Sequence, residues 1–178
     1  MKIVKALLFI FALLVIIGAL LPSKSHVERS ATIDAPQETA FNFLNSYQNF
    51  NAWSPWHRID PETQYSYSGP ESGVGAMMSW QSDHDKVGSG LQKITESIPN
   101  EFIAVTLDFG DMGQAESSYE LSTDGDSTTV VWNFDNEIGW NLVGRYFGLF
   151  MDRMLGPSYE AGLHNLKDAL ERRADGKP

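Results

Sequence analysis

No cysteine occurs among the 178 residues. Disulfides, thiolate nucleophiles, iron–sulfur clusters and cysteine zinc sites are therefore excluded. Basic runs are also missing: 13 Lys and Arg against 23 Asp and Glu leave a formal charge of −10. A phosphate backbone is bound by clustered Lys and Arg, so no nucleic-acid partner is expected. The four histidines, His26, His57, His84 and His164, show no metal-ligand spacing. Asp83-His84-Asp85 are consecutive in a turn and point different ways, whereas zinc needs three or four converging ligands. Neither a metal nor a cofactor is expected. There is no Gly-x-Ser-x-Gly elbow. Gly88-Ser89-Gly90 suits two backbone bends in a strand, and Gly73-Val74-Gly75 is followed by no helix start that could hold a phosphate.

What is present is apolar and aromatic. At 42% hydrophobic and 12% aromatic residues the chain can fill one packed core, so one domain with a tail is expected. From Ala6 to Leu21 the run ALLFIFALLVIIGALL is uninterrupted, with Lys2 and Lys5 before it and Pro22 after it. These residues reach about 24 Å, so Ile3, Val4 and a snorkelling Lys5 must help to span a hydrocarbon core of about 30 Å. Residues 1–22 are read first as a membrane anchor, because no Ala-x-Ala site follows, with a secretory signal peptide cleaved near Ser23-Lys24-Ser25 as the alternative; residues 23–25 are read as a linker. Lys2, Lys5 and the amino terminus outweigh Lys24 and Arg29. That bias predicts a single-pass inner (cytoplasmic) membrane protein with its C-terminal domain on the periplasmic, extracytoplasmic side.

Val27, Arg29, Ala31 and Ile33 alternate with polar residues, predicting a strand over His26–Asp34. Asp34 near the cap and Pro36 in the first turn then predict a short helix with Ala40, Phe41, Phe43 and Leu44 inward. A second short turn covers Tyr47–Ala52. Period-two runs predict six more strands, near Thr63–Ser68, Val74–Ser82, Val87–Ser97, Phe102–Phe109, Ala115–Ser122 and Thr128–Asp135. Short Gly, Asp and Asn turns between them predict an antiparallel meander. From Gly139 the period becomes helical through Val143, Phe147, Phe150, Met154, Tyr159, Leu163, Leu166 and Leu170. Gly156-Pro157 predicts a kink or restart in that helix, and residues 174–178 are expected to fray.

One sheet around one long helix buries both apolar faces. This α+β order resembles the START-like (SRPBCC) superfamily with the helix-grip fold, specifically the bacterial polyketide cyclase/dehydrase and lipid-transport type family. The resemblance rests on Val27-Glu28-Arg29 through Ala35-Pro36, Trp53-Ser54-Pro55-Trp56 with Asp60-Pro61, and Gly69-Pro70 with Gly73-Val74-Gly75 and Trp80. It continues in Gly88-Ser89-Gly90, Ile94-Thr95-Glu96, Thr129-Val130-Val131-Trp132, Leu149-Phe150-Met151-Asp152 and Gly162-Leu163-His164-Asn165-Leu166-Lys167. The domain is bounded at residues 26–173. The resemblance implies a hydrophobic cavity between sheet and long helix.

Alternation places Met78 with Trp80, Val105 with Leu107 and Phe109, Tyr119 with Leu121, and Val130 with Trp132 and Phe134 on single strand faces. Phe147, Met151 and Met154 of the helix would face them. Such side chains either line a cavity or close-pack, and both readings stand. Trp53 and Trp56, on a loop, either gate the mouth or plug the end of the core. Asp152, the one carboxylate in an apolar helical stretch, is an acid–base candidate if it faces inward and an ion-pair partner of Arg29, Arg145 or Arg153 if it does not. The expected function is membrane-anchored binding of a hydrophobic small molecule or lipid without covalent chemistry. The rival is a cyclase/dehydrase-like enzyme in which Asp152, Tyr119 or His57 projects into the same pocket.

Overall fold

A computed structural model describes residues 1–174; the expected frayed tail beyond Ala174 lies outside the described residues. The apolar N-terminal run forms one helix, α1 (Lys2–Leu20). The alternating segments form a seven-stranded antiparallel sheet in the order β1-β7-β6-β5-β4-β3-β2. The strands are β1 (Lys24–Ile33), β2 (Gln64–Ser68), β3 (Met77–Gln81), β4 (Ser89–Ile98), β5 (Phe102–Asp108), β6 (Gln114–Asp124) and β7 (Ser127–Glu137). Between β1 and β2 lie α2 (Gln37–Leu44), a 3-10 turn (Tyr47–Ala52) and α3 (Pro55–Ile59). After β7 come α4 (Leu142–Gly148) and the long α5 (Met151–Ala174). This is the helix-grip arrangement.

Several boundaries differ from the sequence expectation: β3 starts at Met77 rather than near Val74, β4 at Ser89 rather than Val87, and three further differences follow from contacts. Lys24 and Ser25, read as linker, belong to β1, because the Ser23 carbonyl accepts the N–H groups of Ile138 and Gly139 and Lys24 pairs with Glu137. Pro36 itself caps α2, so the helix starts one residue later; the Asp34 carboxylate instead accepts a hydrogen bond from Ser127. The restart expected at Gly156-Pro157 occurs at Leu149-Phe150. α5 runs through Pro157, which forfeits only the bond to the Arg153 carbonyl.

The register puts Val27, Arg29, Ala31 and Ile33 in rows with Val130, Trp132 and Phe134, then Tyr119, Ser117 and Ala115, on the face that α5 covers. β5 and β4 extend these rows with Ile103, Val105, Leu107, Ile94 and Gln92. On α5, Met151, Leu155, Tyr159, Leu163, Leu166 and Leu170 recur every three or four residues and turn toward this face. Strand alternation also fixes which ends coincide. The starts of β1, β4 and β6, the ends of β3, β5 and β7, and the start of α5 share one end of the sheet, the end at which α1 enters.

Candidate functional site

Aromatic rings fill the middle of the space between sheet and α5. Trp132 stacks on Tyr159 with ring centroids 3.8 Å apart and on Tyr119 at 5.6 Å. Trp53 meets Trp132 edge-on at 5.1 Å, and Trp56 meets it at 6.0 Å. The close approach depends on Gly162, where a Cβ would stand 2.7 Å from the Trp132 ring. Among the polar groups in this interior, Ser117 Oγ accepts a hydrogen bond from Trp132 Nε1 at 2.9 Å and donates to the Asn133 carbonyl at 2.7 Å. Burial pushes the Tyr119 and Tyr159 hydroxyls well above the ordinary tyrosine value, so both are neutral proton donors at physiological pH.

Packing loosens toward one end. Met78, Val105, Phe134 and Tyr159 are buried, whereas Trp80, Leu107, Phe109, Met151 and Leu155, one or two turns or strand positions further on, are only half-buried. Trp80 lies over Gly90, where a Cβ would come within 2.6 Å of the indole, and meets Phe109 edge-on at 5.9 Å. The α5-covered face is therefore less completely covered at the α1 end of the sheet than around Trp132 and Tyr159. Two separate depressions lie outside the α5-covered space: one of about 170 Å³ beside Tyr47 and Gly69, and one of about 340 Å³ beside Lys24 and Glu116 that is lined largely by polar residues.

Ten of the twelve side chains named from the sequence, Trp53, Trp56, Met78, Trp80, Val105, Leu107, Tyr119, Trp132, Phe134 and Met151, come together between sheet and α5, where they pack in or against one apolar core. Phe147 and Met154 do not. They are 61% and 66% exposed, because the break at Leu149-Phe150 rotates α4 off the sheet and Met154 falls on the outer side of α5. Trp53 lies in the short connection between the 3-10 turn and α3, whereas Trp56 is in α3 itself: Pro55 opens that helix, Ser54 Oγ accepts the His57 N–H, and Asn165 Nδ2 donates to the Trp53 carbonyl at 3.1 Å. Trp53 is buried in the end of the core, and Trp56 is partly buried against it. His57 stands beside Tyr65 at 5.6 Å, away from the aromatic stack.

Asp152 is exposed and turned away from the aromatic interior. Arg29 Nη1 donates to it at 2.8 Å, while Nε donates to Glu160 at 2.7 Å. The guanidinium crosses α5 between those two carboxylates over Gly156, where a Cβ would sit 2.2 Å from Nη2. Arg29 so clasps β1 to α5. The hydrogen bond from Arg29, and then its charge, hold the Asp152 carboxyl below the ordinary carboxylate range, and a group in that state is no general acid. A folded-state value below the unfolded one means that the contact stabilises above the ordinary aspartate value, about 3.9, and is lost as pH falls through the lowered value. Asp152→Asn is expected to melt below the parent at neutral pH and to match it in strong acid. Thermal melts across that range check the sign; a constant offset would mean that the side chain acts through packing.

Sequence reading missed Tyr159, Ser117, Leu155 and Gly162 as parts of the site. Tyr159 and Leu155 could have been found from the same three-and-four spacing that selected Met151. Ser117 looked like ordinary strand polarity.

Several solved structures share the fold. The Aha1 dimer from Colwellia psychrerythraea is 22% identical with a TM-score of 0.56, covering 82% of this chain and 96% of that one. TTHA0849 from Thermus thermophilus is 16% identical with a TM-score of 0.62, covering 83% and 98%. The di-domain ARO/CYC StfQ from the steffimycin biosynthetic pathway is 11% identical with a TM-score of 0.61, and the match covers 85% of this chain and 52% of that one. No curated protein matches the sequence. Residues 24–171 match the family model described as polyketide cyclase / dehydrase and lipid transport, and the chain belongs to that family.

Proposed function

We propose that the chain is a membrane-anchored binding module that takes a hydrophobic small molecule or lipid into the cleft between sheet and α5, without covalent chemistry. The observation that carries this reading is the one-ended loosening of the core. Apolar side chains that could close-pack stay half-buried where the cleft opens, and adaptable Met151 and two large rings, Trp80 and Phe109, stand at its rim. α1, apolar from Ala6 onward and exposed over most of its length, supplies the anchor. The K/R bias favours the extracytoplasmic side for the domain. The family description and the ARO/CYC neighbour support an apolar ligand.

Trp80→Ala and Met151→Ala are expected to weaken binding of cis-parinaric acid, a fluorescent fatty acid, by about tenfold each, since each removes roughly 1–3 kcal/mol of apolar contact. Stability should fall less than affinity, because both side chains are already half in water. Fluorescence titration of the detergent-released full chain measures it, and unchanged affinity in both variants sinks the cleft assignment. Native mass spectrometry of the same preparation, with organic extraction, identifies what travels with the protein.

A second reading, a cyclase-like enzyme, is favoured by Tyr119 and Tyr159, neutral donors inside an apolar interior. In that case Tyr159→Phe abolishes turnover of an extracted ligand while Asp152→Asn leaves it intact; the binding-module reading expects no turnover in either.

A further inference from the structure

From Gly139 to Met151 the one charged residue is Arg145, in a chain that carries 23 acids. Trp140, Val143, Phe147, Leu149 and Phe150 in this stretch, and Met154 just after it, are all more than half exposed, Trp140 at 82%. Scattered apolar residues are ordinary on a surface, but a contiguous group marks an interaction site. This group adjoins α1. Tyr146 donates its hydroxyl to the Leu14 carbonyl at 2.6 Å, and its ring presses on Gly18, where a Cβ would be 3.0 Å away. Arg145, only 7% exposed, closes the end of α1: Nη1 donates to the carbonyls of Ala19 at 2.7 Å and Leu21 at 3.2 Å, and Nε to Gly139 at 2.8 Å. The single cation of the stretch is thus spent on the helix terminus, where the partial charge is negative.

Length settles the depth. α1 has 19 residues, or about 28 Å, barely the hydrocarbon thickness of about 30 Å. Its last turns must lie in the membrane if it spans at all. Leu14 is six residues before Leu20, about 9 Å back from that end. A segment hydrogen-bonded to Leu14 and packed on Gly18 is carried into the bilayer with them. Met112, 79% exposed in the β5–β6 connection, projects from the same end of the sheet.

We infer that α4, with Trp140 and Phe150 beside it, is embedded in the bilayer surface next to α1 and holds the half-open end of the cleft against the lipid. The inference rests on α1 being a membrane span, as proposed above. The cleft then exchanges its ligand with the membrane directly rather than through water. Embedding is apolar in character: no Lys or Arg is left in the stretch to meet anionic headgroups, so it needs neither anionic lipid nor low salt.

The absence of cysteine makes the test direct. In the full chain, Leu8→Cys, Phe147→Cys, Val143→Cys and Glu101→Cys each carry one nitroxide, and the protein is reconstituted in phosphatidylcholine vesicles at physiological salt. Glu101 is in the β4–β5 turn, at the opposite end of the sheet. Labels at 8, 143 and 147 are expected to be several-fold less accessible to a water-soluble relaxing agent, and several-fold more accessible to oxygen, than the label at 101. If 8 is immersed while 143 and 147 behave like 101, the anchor stands and the embedded α4 is overturned. If 8 is also aqueous, the anchor reading itself fails and takes this inference with it.

Discussion

Trp132→Ala is expected to cost about 3–5 kcal/mol of unfolding free energy, the largest stability loss of any single truncation in the domain. The indole is the hub of the aromatic interior, touching Trp53, Trp56, Tyr119 and Tyr159 with centroid separations of 3.8–6.0 Å. Gly162 on α5 and Tyr119 on β6 are shaped around it, so the neighbouring backbone cannot collapse into the space. Removal also takes the donor from Ser117 Oγ in a buried setting. Urea titration of the detergent-solubilised full chain, with Trp80→Ala beside it, is the measurement. Trp80, half-buried at the open end, has solvent to replace it and should cost clearly less. Equal costs would mean that the middle of the interior is as loose as its rim, and that the whole length of α5 faces a ligand space.

The difference between those two tryptophans shows where sequence reading stops. Alternation assigned both to the α5-covered face, and the register agrees, since Met78 and Trp80 stand opposite Gln92 and Gly90 while Tyr119 stands opposite Trp132. Period-two and period-3.6 patterns report which side of an element is apolar, and the sheet order follows from short turns. Neither pattern reports how far apart two apolar faces stand. That distance depends on single contacts between remote residues: Gly162 against Trp132, and Gly156 under Arg29. The hydrophobic period also ran through Leu149-Phe150 without a break, so Phe147 and Met154 were read as facing the sheet along with Met151. A proline is a visible breaker, and it drew attention to Gly156-Pro157. The break lies instead at Leu149-Phe150, just after Gly144 and Gly148 bring α4 close against Ile138, a contact that hydrophobic periodicity does not encode. Asp152 was legible as one of two alternatives, and its partner Arg29, 123 positions away, decides between them.

Arg145→Ala should release α4 from α1 at a cost of about 2–3 kcal/mol, since hydrogen bonds from a charged donor are worth about 1.5–3 kcal/mol each and several share one guanidinium. The carbonyls of Ala19 and Leu21 have no donor within α1 itself, because the last four carbonyls of any helix lack one. At the edge of a bilayer water reaches them poorly, which raises the value of the replacement that Arg145 supplies. Arg145→Lys should recover only part of the effect: one ammonium cannot span Ala19, Leu21 and Gly139 as the planar guanidinium does. The sheet and α5 take no support from this contact, so urea stability of the domain should stay within about 0.5 kcal/mol of the parent. The readout is amide hydrogen exchange in the reconstituted full chain, where α4 and the last turn of α1 should exchange roughly 30- to 100-fold faster while β5–β7 are unaltered. Exchange that is unaltered in α4 as well would show that Tyr146 against Gly18 suffices to hold it, and would shift the work of docking from polar capping to close packing. Faster exchange everywhere would instead show that the sheet depends on the membrane-proximal contacts. In that outcome the strand pair β1–β7, which begins just beyond α1, would be the part of the fold that the anchor stabilises.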